Sequence, residues 1–349
     1  MLNYYDSDSE EYEQIIHTNE KKPWIEKYRP ELLDNIIGHE HIISSLQNNI
    51  KKKYLPHLLF YGPPGTGKTS TILACAKELY GNNINYMTLQ LNASAERGID
   101  VVRKRIKNFI MAKSLCFKDQ NIFKLVILDE IDAMTPDAQS ILKKLVETHT
   151  INARFCLICN YIEKIDFALR SRCTIFRFTV LQKQVLNDKI IDIINKEKIT
   201  ITTKAINTII DKSNGDMRRI MNQLQSLSMV YKKITDNDVN DFYGYTTSEF
   251  INSVVEYLFN SDFKTCYFKI LELKKEYSIS IGEISIEIFK LFYDKLLKNK
   301  CKNAIINNVD DLIIQKIIIE MSIIEQNQNI ATNDNIQLAS LISAIKKNS

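Results

Sequence analysis

The apolar positions of this chain change their period once, near Leu181. Before that point they come in short runs: Leu58-Leu59-Phe60, Asn85–Leu91, Phe123–Leu128, Arg154–Cys159 and Ile175–Phe178 read as strands. Helices are predicted over about 39–53, 71–79, 99–113 and 136–148. The run Phe123–Leu128 is continuously apolar, the pattern of a central strand covered on both faces. Strands alternating with helices predict a doubly wound α/β fold with a parallel sheet, whose ligands sit beyond the carboxyl ends of the strands. After Leu181 helical periods take over. One stripe, Ile313, Ile314, Ile317, Ile318, Met321 and Ile324, is heavily apolar. These changes divide the chain into an acidic tail expected to be disordered (1–20), an α/β domain (21–180), a small helical lid domain (181–243) and an all-α C-terminal domain (244–349).

The first predicted strand runs into Gly62-Pro63-Pro64-Gly65-Thr66-Gly67-Lys68-Thr69, followed by Ser70 and an apolar helix. That is G-x-x-x-x-G-K-[ST] in strand–loop–helix context. Three glycines let successive N–H groups turn toward one anion at the positive end of a helix dipole. Lys68 then reaches the terminal phosphates and Thr69 offers its hydroxyl to Mg²⁺. A plain Gly/Pro turn would explain the loop but not the full motif in this setting. Asp129-Glu130 follow the next strongly apolar strand, about sixty residues on. The first carboxylate suits a hydrated Mg²⁺ and the second an attacking water, although paired acids at a strand end also serve as helix caps. Asn160 ends the fourth strand, where it can hold that water or simply make a turn. Arg218, after Gly215-Asp216-Met217 at a helix start, can touch a γ-phosphate. Arg172, in Ser171-Arg172-Cys173, suits an arginine finger given to a neighbouring subunit. By spacing alone, a solvated surface arginine is the default reading for both.

Composition narrows the setting. At 349 residues and 45% hydrophobic content, the chain can bury two or three cores. The net charge is +4, so any nucleic-acid surface has to be local. The predicted helix from Ile99 is locally basic, with Arg103, Lys104, Arg105 and Lys107. The acidic N-terminus resembles neither a signal nor a transit peptide, and no apolar run approaches the roughly 18–20 residues that span a bilayer. Seven cysteines, an odd number, scatter among core-type residues, as expected in a reducing compartment. Cys156 and Cys159 form a C-x-x-C within an apolar run and without a second pair, which reads as packing and not as a zinc site.

Glu26-Lys27-Tyr28-Arg29-Pro30, the loop Gly62–Thr69, Leu91-Asn92-Ala93-Ser94, Arg97-Gly98-Ile99, Leu128-Asp129-Glu130, Asn160, Ser171-Arg172-Cys173 and Gly215-Asp216-Met217-Arg218 occur in one order. In that order they resemble the AAA+ sliding-clamp loaders, and among these the small subunits of eukaryotic replication factor C. Residues 55–61, 69–77 and 154–161 are most similar to the branch numbered three in budding yeast and five in mammals. The motif matches cover about residues 23–225. The resemblance implies a P-loop ATPase domain, a lid, and a helical collar joining five different subunits in a ring. The implied partners are four other replication factor C subunits (one large, three small), the sliding clamp (PCNA) and primer–template DNA, in the nucleus. The implied cofactors are ATP and Mg²⁺. ATP binding would open the clamp and grip DNA, and hydrolysis would release both.

Residue by residue, the resemblance implies Lys68 and Thr69 on phosphates and Mg²⁺, Asp129 and Glu130 as the Walker B pair, Asn160 as sensor 1, Arg218 as sensor 2 and Arg172 as the finger in trans. It sets Tyr28, Arg29 and Pro30, with Ile37 and Gly38, against the adenine, and the helix 136–148 against the clamp. The basic helix, with Arg97 before it and Arg103, Arg105 and Lys107 within it, would follow template phosphates without reading sequence. Two departures stand out. Ile131 replaces the usual alanine of Asp-Glu-Ala-Asp, and Ala95 replaces the usual acid after Asn-Ala-Ser, with Glu96 following at once. The rival readings are a non-catalytic scaffold of the same ring, another AAA+ remodeller or helicase loader, and a free-standing metabolic kinase. The intact Walker residues, the Ser-Arg-Cys motif and the lack of any small-substrate signature weigh against them in that order.

Overall fold

The computed structural model describes residues 22–94, 99–112, 123–150, 152–244, 247–277, 279–298, 301, 303–328 and 333–348. The predicted tail (1–20) and Arg97 lie outside the described residues. The chain divides into two compact units, Met1–Ile234 and Thr235–Ser349.

In the first unit, β1 (Leu58–Tyr61), β2 (Thr88–Asn92), β3 (Lys124–Asp129), β4 (Ala153–Cys159) and β5 (Thr174–Arg177) form one sheet in the order β2-β3-β4-β1-β5. All four pairings are parallel. The central strands are apolar throughout because both faces are covered. Leu125, Ile127, Cys156 and Ile158 pack with residues of α1 (Glu40–Lys51) and α2 (Lys68–Tyr80). Val126, Leu128, Phe155, Leu157 and Cys159 pack with residues of α3 (Ile99–Met111) and α4 (Pro136–Thr148). The C-x-x-C pair is therefore split between opposite faces of β4, and both thiols serve the core.

The second strand differs from its prediction at one end. Ile84–Met87 is a helical turn and β2 begins at Thr88. Gly81, at φ 54°, ends α2, and the turn that follows drops Met87 into the core (1% exposed) while Tyr86 faces out. Ladder pairing starts only where Leu125 stands opposite Thr88.

Three helices complete this unit: α5 (Lys183–Glu197), α6 (Thr203–Ser213) and α7 (Met217–Val230). A two-residue parallel pair, Thr200–Ile201 with Lys233–Ile234, ties the ends of this segment and was not predicted. The second unit is helical among its described residues. Its longer helices are α8 (Ser248–Asn260), α9 (Phe263–Tyr277), α10 (Ile281–Lys298), α11 (Asp311–Gln328) and α12 (Asp334–Asn348). Val254, Ile288, Phe292, Ile314, Ile317 and Ile342 form its core, so the predicted apolar stripe on α11 is a packed face.

His57, just before β1, illustrates how tightly the sheet is closed. Its Nδ1 accepts a hydrogen bond from the Phe155 N–H at 3.2 Å, and its carbonyl accepts from the Thr174 N–H at 2.7 Å. Burial, with Arg154 adding to it, lowers its pKa from 6.5 to about 4. The unfolded chain therefore binds a proton that the folded chain refuses. That contribution to stability is complete above about pH 6.5 and falls by up to about 3 kcal/mol as the pH drops toward 4. His57→Asn keeps an acceptor without the titration. Denaturant midpoints measured between pH 7 and 4.5 are expected to fall less steeply for this variant than for the wild type.

Candidate nucleotide site

The loop after β1 owes its shape to three positive-φ glycines, Gly62 at 141°, Gly65 at 68° and Gly67 at 95°. Two of them also lack room for a side chain: a Cβ on Gly62 would lie 2.0 Å from the Phe178 carbonyl oxygen, and one on Gly65 would lie 1.7 Å from Asp216 Oδ1. Thr66 Oγ1 donates to the Pro63 carbonyl at 2.9 Å and locks the curl. Lys68 opens α2 and is 7% exposed. Its ammonium donates to the carbonyls of Gly62 (2.7 Å) and Pro63 (2.8 Å) and to Asn160 Oδ1 (3.0 Å). Burial lowers its pKa, and the nearby charge of Asp129 opposes that shift.

Asp129 and Glu130 follow from β3, whose carboxyl end lies near that of β1 through β4. The Thr69 hydroxyl donates to Asp129 Oδ2 at 2.8 Å, and Asp129 Oδ1 accepts from the Glu130 N–H at 3.0 Å. Glu130 is exposed and holds φ at 56°, a left-handed conformation that turns the chain sharply off the strand. Thr69 and Asp129 are two hard oxygen donors side by side, the kind of set Mg²⁺ accepts while it keeps waters and phosphate oxygens. The residues fit that ion. Among the described residues no group of three or more His, Cys, Asp or Glu forms a metal cage.

These groups open into a cavity of about 410 Å³, within the ordinary range for small-ligand sites. Pro64, Gly65, Thr66, Gly67, Lys68, Thr69 and Ser70 of the loop line it, with Asp129, Glu130, Asn160 and Arg218. The lining also includes the apolar Trp24, Ile25, Pro30, Ile36, Ile37, Leu181, Ile193, Met217 and Met221, with Tyr28, Arg29 and Asn35. Gly62, Pro63 and Gly38 are not among the lining residues. The first two supply carbonyls to Lys68, and Gly38 packs against Leu181.

Arg218 comes from the start of α7, where Asp216 caps the helix by accepting from the N–H groups of Arg218 (2.9 Å) and Arg219 (3.2 Å). The Met217 N–H donates to the Gly65 carbonyl at 3.3 Å, so α7 abuts the phosphate loop directly. Arg172 is elsewhere. It precedes β5, and Thr174 stands beside Leu58 at the amino end of the sheet, away from the loop. Its guanidinium pairs with Glu147 at the end of α4 (2.6 Å) and donates to the Ala168 carbonyl (2.6 Å). On α3, Arg103 and Arg105 are exposed and Lys107 is half-buried.

Sequence reasoning missed several residues. Asp132 Oδ2 accepts from the N–H groups of Asn160 and Tyr161 at 3.3 Å each, fixing the end of β4. Gln139 of α4 donates to the Lys164 carbonyl (3.0 Å) and accepts from the Asp166 N–H (2.8 Å). Gln90 and Asn92 on β2, and Lys189 on α5, line the cavity. The strand-end rule points to Asn92; nothing in the local pattern marks Lys189.

Comparison with known proteins agrees with this geometry. The profile of the ATPase family associated with various cellular activities (AAA) matches residues 58–181, and that of the RCF1/5-like AAA+ ATPase lid domain matches residues 189–229. Human "Replication factor C subunit 5" is 42% identical over 327 residues, covering 93% of this chain and 91% of that protein. Budding-yeast "Replication factor C subunit 3" is 37% identical over 334 residues, covering 94% of each. A putative replication factor C small subunit of Acanthamoeba polyphaga mimivirus is 45% identical over 298 residues, covering 82% of this chain and 85% of that protein. Among solved structures, the RuvB Holliday junction branch migration motor of Thermotoga maritima covers 70% of this chain and 85% of its own, at TM-score 0.50 and 17% identity, a likeness of fold. With relatives matching nearly end to end, and the ATPase and lid profiles meeting around one cavity, the chain belongs to the replication factor C small subunits and is an ATPase of the AAA class.

Proposed function

We propose that this chain is one of five subunits of an ATP-driven sliding-clamp loader, hydrolysing ATP at a site that a neighbour's arginine completes. The observation that carries this reading is the convergence of Lys68, Thr69, Asp129, Glu130, Asn160 and Arg218 on one cavity while Arg172 stands at the opposite end of the sheet. In this reading Lys68 and the loop N–H groups bind the phosphates, and Thr69 and Asp129 hold Mg²⁺, which neutralises charge on the phosphate oxygens when bound. Glu130 orients and deprotonates the attacking water, Asn160 steadies it, and Arg218 brings the lid onto the γ-phosphate. Tyr28, Arg29, Pro30 and Ile37 face the adenine.

The partners are four other replication factor C subunits, the clamp (PCNA) and primer–template DNA, in the nucleus. The family of the curated relatives supports the assembly. So does an exposed apolar ladder on α10, Ile286, Phe289, Tyr293 and Leu297, at spacings that keep it on one helix face. The exposed Arg103 and Arg105 support contact with DNA phosphates. No helix among the described residues is long and apolar enough to cross a membrane.

Co-expression with the four other subunits tests this. A stable assembly is expected whose ATPase activity rises with clamp and primed DNA, while the lone chain hydrolyses little. Lys68→Ala is expected to remove nucleotide from this chain's own site. Arg172→Ala should leave nucleotide binding intact but slow hydrolysis at the neighbouring site by about 10³-fold or more. An assembly whose stimulated rate ignores both changes is a scaffold role, and a homo-oligomer in place of the assembly rejects the loader.

Contact with phosphates makes a separate prediction. Arg103→Ala in the assembly is expected to weaken binding of primed DNA equally across sequences. The slope of log affinity against log salt should become shallower by about one. Unchanged slope and affinity would remove α3 from the DNA surface.

A further inference from the structure

We propose that Glu197, at the end of α5 and outside the cavity, is a positioning residue for the adenosine end of the nucleotide, because it fixes Tyr28 to the lid. The inference rests on the nucleotide reading above. Glu197 Oε1 accepts from the Tyr28 hydroxyl and from the Lys27 ammonium, the latter at 2.6 Å. These bonds join residues some 170 positions apart. Burial pushes the Glu197 carboxyl up, but the bonds from Lys27 and Tyr28 outweigh it and leave the group below its ordinary value. Burial and then the same carboxylate hold Tyr28 well above its ordinary value, so the phenol stays a donor.

The N-terminal segment is divided between two bodies. Residues 24–28 are tied to the lid helices, since the Trp24 N–H also donates to Gln225 Oε1 of α7 at 3.0 Å. A few residues on, the chain is tied to the α/β body instead: the Leu33 N–H donates to Glu78 Oε1 of α2 at 2.8 Å, and Glu31 pairs with Lys77. Between these anchors lie Arg29 and Pro30, which line the cavity with Tyr28. The wall facing the adenosine thus spans the junction of lid and body. Without Glu197, Tyr28 and Lys27 lose their hold on α5, and binding must order that wall afresh. The hydrogen bonds and ion pair of Glu197 go to Lys27 and Tyr28 and not to the phosphate loop, so the loop's own binding should not change.

The test titrates the full-length chain by calorimetry with ATP or with inorganic tripolyphosphate, both with Mg²⁺, and records melting curves in parallel. Glu197→Ala is expected to weaken ATP binding about tenfold and leave tripolyphosphate binding unchanged. Glu197→Gln, which keeps an acceptor for the phenol and loses the charge facing Lys27, is expected to fall between. Should Glu197→Ala fail to fold, Glu197→Gln and Lys27→Met carry the test, each with a smaller loss confined to ATP. Equal ATP affinity in variant and wild type overturns the proposal. So does a parallel loss of ATP and tripolyphosphate, which would mark a general structural role. A wild-type chain that binds tripolyphosphate but gains nothing from the adenosine overturns both this inference and the ATP reading.

Discussion

A buried ammonium sets the terms for the first unit. Removing an unpaired lysine charge from water costs several kcal/mol, and Lys68 is placed so that three oxygen acceptors share it. Two are carbonyls of the loop that opens at Gly62, whose φ of 141° and closeness to Phe178 leave no room for a side chain. The third, Asn160, arrives from a different strand. It is within reach because β4 runs parallel to β1 and beside it, with Tyr61 in register with Cys159. Neutral acceptors hold the charge without cancelling it, and burial still disfavours the ammonium. An incoming phosphate brings a negative charge into direct contact with the ammonium, which its three neutral acceptors do not. The loop is thereby organised for an anion before one binds.

Around that centre, positions are fixed from more than one side. Asp132 holds the backbone at Asn160 and Tyr161, while Gln139 joins α4 to the turn before Phe167. Glu130 sits in a left-handed conformation that costs energy for a residue with a side chain. The helical turn at Ile131–Ala133 keeps it there, and Ile131 is fully buried in the core beneath. The larger side chain at this position, where the family usually has alanine, is accommodated by packing and leaves both acids in place.

Much of this was legible in the chain itself. The parallel sheet could be read because continuous apolar runs such as Leu125–Leu128 leave no polar face, and the phosphate loop because its glycines and Lys68 are local requirements. The limits of legibility were physical as well. The strand expected from Asn85 begins at Thr88, since strand starts depend on a partner across the ladder and not on local composition. The pair Thr200–Ile201 with Lys233–Ile234 is too short to carry a period. Asp132 and Gln139 act through backbone groups some 25 to 30 residues away in sequence. Lys189 and Glu197 acquire their settings only when the lid helices fold against the N-terminal segment, a contact that no spacing rule reports.

The polarity of the sheet carries one consequence further. All five strands run in parallel, so one end of the sheet collects the loop, Asp129 and Asn160, and the other presents Arg172 before the edge strand β5. Within one chain these ends cannot meet. Arg172 is nevertheless oriented by its own chain, with Glu147 and the Ala168 carbonyl each occupying part of the guanidinium. On the reading that Arg172 completes a neighbour's site, the contact pairs two different surfaces, carboxyl end against amino end. Such head-to-tail contacts close into rings or continue into open spirals. The need for an assembly then follows from strand direction, and the number of subunits depends on the rotation between neighbours.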